Sequence, residues 1–143
     1  MTSNTVTISQ RGIEKIVRHA YDTYPEECCG LMFSVKTRND GMFIDTSEEM
    51  IKEKTTADHY SMDPFELTEK EKTFSTRGYE ISGFYHSHPD SSASLSREDE
   101  EFMIPGMIYL IVSLMHGRCS GFSAWMKESS YTEPIRLEIR EKV

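Results

Sequence analysis

The sequence predicts an α/β (α+β) fold: a single mixed β-sheet flanked by helices. Three observations carry this. Helix-like and strand-like stretches interleave along the chain. One run, Ile108-Tyr109-Leu110-Ile111-Val112, is almost wholly apolar and β-prone. No internal repeat and no Pro/Gly/Ser linker divides the 143 residues, so 1–143 reads as one domain.

The elements run in order. Over 8–24, Ile13, Ile16, Val17, Ala20 and Tyr21 recur at helical spacing, Ser9 is placed to cap the start, and Pro25 ends the helix. Residues 28–35 are a short, mostly apolar run that reads as a buried strand. Asn39-Asp40-Gly41 is a turn signal, and 42–51 reads as the return strand of a hairpin. Residues 52–63 are polar and read as irregular. Asp63 and Pro64 open a second helix running to about Thr76, with Phe65, Leu67 and Phe74 on its inward face and Gly78 closing it. A strand over 79–85 and a polar loop, Asp90 to Ser94, come next. Ser96 caps a short helix with Asp99 in the capping-box position, and Gly106 ends it. Strands are expected over 107–115, 121–126 and 135–139, with His116-Gly117 as a turn between the first two.

Composition narrows the function. The net charge is −8, which argues against nucleic acid as a partner, since that affinity comes from Lys and Arg neutralising phosphates. No apolar run approaches the roughly 20 residues of a membrane span. The N-terminus shows no basic patch followed by an apolar stretch, so a cytoplasmic location is expected. The cysteines are Cys28, Cys29 and Cys119. Their number is odd and no C-x-x-C pair is present, so reduced thiols are expected rather than disulfides or a cysteine zinc site.

The chemistry concentrates in Phe84-Tyr85-His86-Ser87-His88-Pro89 and the ten residues after it. Side chains two apart on a strand share a face, so His86 and His88 can present two imidazoles to one point. Two neutral imidazoles and one carboxylate make an open zinc site, and Asp99, on the first turn of the next helix, is the carboxylate of choice. Ser96, three residues earlier, shares a helical face with Asp99. It reads either as a plain cap or as a hydroxyl aimed at an oxyanion. Hydrolysis also needs a proton shuttle outside the metal shell, for which Glu26 and Glu27 are both candidates. Cys28 and Cys29 read as strand packing rather than nucleophiles, and His59 and His116 as ordinary surface residues.

His86-x-His88-Pro89 followed by Ser96-x-x-Asp99 resembles the signature of the JAMM, or MPN+, metalloproteases. The resemblance implies a cytidine-deaminase-like architecture and zinc held by His86, His88 and Asp99. It also implies that Ser96 polarises the scissile carbonyl. Glu27-Cys28-Cys29-Gly30 looks like the E-x-C-G setting of the family's general acid/base, which selects Glu27 over Glu26. The chain is most similar to the compact prokaryotic members. The implied substrate is a ubiquitin-like or sulfur-carrier protein, cut at a peptide or isopeptide bond after its terminal Gly-Gly.

Rival readings differ in their signatures. A metal-free scaffold of the same fold would lack part of the ligand set, which is complete here. A nucleobase deaminase would show H-x-E and P-C-x-x-C, which are absent. The H-x-H of a (β/α)₈ amidohydrolase needs about 250 residues. Oligomeric state and the residues flanking the scissile bond have no signature in the sequence.

Overall fold

Residues 4–38, 42–56 and 59–143 of the computed structural model are described, with backbone alone between 52 and 61. In chain order the elements are β1 Thr5–Ser9, α1 Gln10–Thr23, β2 Cys29–Val35, β3 Phe43–Ile44, β4 Thr46–Met50, β5 Lys52–Thr56, β6 His59–Met62, α2 Pro64–Ser75, β7 Tyr79–Pro89, α3 Arg97–Glu101, β8 Ile108–Met115, β9 Arg118–Met126 and β10 Ile135–Lys142. Eight strands form one sheet in the order β3-β1-β10-β9-β8-β7-β2-β4, and β5 and β6 pair separately. Its centre is β7 parallel to β8, with β2 antiparallel to β7 and β9 antiparallel to β8. The expected mixed sheet is therefore present. None of the described helices is long and apolar enough to cross a membrane.

The sheet lies between two helices. Ile16 and Ala20 of α1 are fully buried with Val6, Ile8, Leu110, Val112 and Leu114. Ser9 caps α1 by accepting the Gly12 N–H at 3.0 Å. Tyr21 lies off this face and is 44% exposed; its hydroxyl accepts the Cys119 N–H instead. On the opposite face Phe74 of α2 stacks on Phe33, ring centroids 4.1 Å apart, beside Cys29, Leu31 and Met50. Leu67 joins this cluster because seven residues bring it back to the side of Phe74. Phe65, two residues before Leu67, falls on the other side and is 73% exposed, against expectation.

Other expectations need correction. β1, for which no strand was expected, precedes α1 and takes Ile8 and Ser9 from the start of the expected helix. Its pairing is with β10 and β3, so nothing local announces it. The return strand expected over 42–51 is split at Asp45 into β3 and β4, which lie at opposite ends of the sheet order. The Asp45 carboxylate accepts the Val35 N–H and its own N–H bonds Phe33 O, both of which hold the break. The polar stretch 52–63 contains the β5–β6 ribbon, since a two-stranded ribbon needs no apolar alternation. The Asn39-Asp40-Gly41 turn lies outside the described residues, as does the side chain of His59.

Gly30 is needed for packing rather than for a turn. A Cβ there would come within 2.2 Å of the Tyr85 ring, which is 1% exposed and holds His19 Nδ1 through its hydroxyl at 2.7 Å. The ring is wedged between β2 and α1 and has no room to retreat. Gly30→Ala is expected to cost about 1–3 kcal/mol by overpacking, read as a lowered denaturant midpoint with unchanged m-value.

Candidate metal centre

Strand alternation puts His86 and His88 on the α2 face of β7, two residues apart. β7 then leaves the sheet, and the chain returns through α3. There Ser96 and Asp99 form a reciprocal capping box. The Asp99 N–H donates to Ser96 Oγ at 2.9 Å, and the Ser96 N–H donates to Asp99 Oδ2 at 3.1 Å. This orients the carboxylate over the strand end. Asp99 Oδ1 lies 3.2 Å from His86 Nε2, Asp99 Oδ2 lies 3.3 Å from His88 Nε2, and the two Nε2 atoms are 3.1 Å apart.

These separations suit a metal. Donor atoms about 2.0–2.1 Å from a tetrahedral zinc lie roughly 3.3 Å from one another. His88 Nδ1 donates to the Ser92 carbonyl at 2.8 Å, which leaves Nε2 as the free lone pair in the neutral ring. The group is partly withdrawn from water, with side-chain exposures of 1% for His86, 14% for His88 and 13% for Asp99. Two imidazoles and a carboxylate are the donor set of an open zinc site.

The electrostatics follow from this crowding. Burial opposes charge on Asp99, but hydrogen bonds and charge from His86 and His88, with the Ser96 N–H, outweigh it; the carboxyl is held well below the usual carboxylate range. Burial likewise lowers the pKa of His88, but Asp99, the Ser92 carbonyl and the charge of Glu27 reverse this, and the net shift is upward. The cluster thus keeps an ionised carboxylate facing two imidazole nitrogens, a setting that favours a cation.

Glu27 approaches from the segment that leads into β2. Cys29 registers with His86 across the β2–β7 ladder. Beyond it, the Ser87 N–H bonds Cys28 O at 3.0 Å and the Cys28 N–H bonds Ser87 Oγ at 2.8 Å. Glu27 is half-buried and its charge acts on His88, while Glu26 is exposed.

The sequence profile described as prokaryotic homologs of the JAB domain matches residues 9–128. The chain belongs to that family. Desampylase from Haloferax volcanii is 29% identical to this JAB domain over an alignment of 118 residues that covers 79% of this chain and 84% of that protein. A Desulfitobacterium hafniense protein of known solution structure superposes with a TM-score of 0.80 at 26% identity, covering 96% of this chain and 93% of that one. A JAB1/MPN domain protein from Archaeoglobus fulgidus shares the fold, with a TM-score of 0.58 at 20% identity over 95% of this chain and 100% of the other.

In this JAB domain the structure brings together His86, His88 and Asp99, and sets Ser96 and Glu27 at their border. Cys28 and Cys29 are buried; burial pushes the Cys28 thiol up to about 11, which does not suit a nucleophile. His116 is exposed and sits at φ +54 in the β8–β9 turn with Gly117 at φ +77, as a tight hairpin turn requires. Sequence reasoning missed the residues that fasten the loop between His88 and Asp99. Asp90, at φ +55, accepts the Tyr24 hydroxyl at 2.7 Å and the His116 N–H at 2.8 Å. Ser113 and Ser123 hold loop carbonyls further on. The one sequence signal was Ser113 itself, a hydroxyl in an otherwise apolar strand.

Proposed function

We propose that this JAB domain is a zinc-dependent peptidase that hydrolyses the amide after the terminal Gly-Gly of a ubiquitin-like or sulfur-carrier protein. The convergence of His86, His88 and Asp99 on one point carries this reading. Those three residues would hold the zinc. Bound zinc supplies a Lewis acid and an acidified water.

The chain's own residues account for the remaining work. The Glu27 carboxylate takes a proton from the attacking water and delivers it to the leaving amine. Ser96 Oγ accepts the Asp99 N–H, so its own proton is available to the carbonyl oxygen as negative charge develops there. The cap and the oxyanion reading of Ser96 are thus compatible: one lone pair serves the helix and the O–H serves the substrate. Its exposure supports a role that needs contact with a bound molecule.

A cleft of about 430 Å³ opens beside Glu27, lined also by Glu26, Cys28, Glu49, Met50 and Ile51. It adjoins β4, which ends the sheet on that side. An extended tail can pair with such an edge while its end crosses the metal centre. Likeness to a desampylase supports a ubiquitin-like protein as the tail's owner. Mass spectrometry of a ubiquitin-like protein carrying extra residues after Gly-Gly tests this. The zinc-loaded chain is expected to release a product ending on the second glycine. Cleavage elsewhere, or none, counts against the assignment.

A further inference from the structure

We infer that Ser113 and Ser123 are positioning residues for the metal centre, each aimed by a second donor, Ser120 and Trp125 respectively. The inference rests on the proposed zinc site and extends it to the far side of the His88–Asp99 loop.

Asp99 reaches the two histidines only if the chain between His88 and α3 takes one path. Three successive carbonyls on that path are held. Ser113 Oγ donates to Ser91 O, His88 Nδ1 donates to Ser92 O, and Ser123 Oγ donates to Ala93 O. The same loop therefore fixes the ring of one ligand directly and the approach of another.

The serines are placed by the sheet. Ser113 registers with His88 across β7–β8, and Ser123 registers with Ile111, itself the neighbour of His86. All stand on the metal face. Ser113 is 2% exposed and Ser123 1%. A buried hydroxyl is unfavourable unless bonded, and here each is bonded twice. Ser120 Oγ donates to Ser113 Oγ at 2.8 Å, and the Trp125 indole N–H donates to Ser123 Oγ at 2.8 Å. A serine has one proton. Once its oxygen accepts from a neighbour, that proton is turned toward the loop carbonyl. Ser120 is available for this because the β8–β9 register shifts next to Ser113, a bulge that re-aims one side chain.

The test compares wild type with Ser113→Ala/Ser123→Ala and with Trp125→Phe. The readouts are the zinc dissociation constant, by competition with a chromophoric chelator, and the melting temperature of the zinc-free proteins. The double variant is expected to bind zinc roughly 10- to 100-fold more weakly, as losses around metal ligands do. Trp125→Phe, which keeps an aromatic ring but removes the indole N–H together with part of the indole, is expected to shift affinity the same way by less. It serves alone if the double variant does not fold. Zinc affinity within about twofold of wild type in the folded variants overturns the inference, even if their zinc-free melting temperature drops. A wild-type chain that binds no zinc overturns the metal centre itself, a separate and visible outcome.

Discussion

His88→Ala is expected to lose zinc and peptidase activity together. The substitution removes one of three donors, and two remaining donors make a poor site for a cation that prefers four ligands with three from protein. It does more than subtract a bond. His88 Nδ1 is the donor that holds the Ser92 carbonyl, and Asp99 Oδ2 lies 3.3 Å from His88 Nε2. Both the loop and the carboxylate lose a partner. Metal content by atomic emission should fall to background in the variant under conditions that load the wild type. A variant that retains stoichiometric zinc removes His88 from the ligand set.

Glu27→Gln is expected to separate the two functions. The amide has the size and hydrogen-bonding reach of the carboxylate and cannot shuttle a proton at neutral pH. Turnover should fall about 10²- to 10⁴-fold, the usual worth of a positioned general acid/base. Zinc affinity should stay close to wild type, because Glu27, two residues before β2, does not belong to the converging triad. Wild-type turnover in the variant would return the shuttle role to Glu26 or to another carboxylate.

The candidate metal centre was legible in the sequence because its parts are local. His86 and His88 share a strand face by period alone, and Ser96 and Asp99 form a capping box within one helical turn. Glu27 was less so. Local spacing left it level with Glu26, the family resemblance chose it, and the register of Cys29 with His86 carries it toward His88. What is invisible locally is long-range pairing. β1 meets β10 across most of the chain, and Asp45 splits a hairpin strand through bonds to Phe33 and Val35. The same limit hid the loop's fastening. Ser113 and Ser123 lie 22 and 30 residues from the carbonyls they hold, and only the sheet brings them there. Exposed Phe65 is a different failure: its apolar character suggested burial, whereas its phase on α2 opposes Leu67 and Phe74.

The most direct test is the cleavage rate of a Gly-Gly-extended ubiquitin-like protein, followed while zinc is removed by a chelator and then returned. Activity is expected to vanish on removal and to recover as zinc reaches one equivalent per chain. Cleavage that continues at the same rate without zinc, or a zinc-loaded chain that leaves every such substrate intact, would contradict the account.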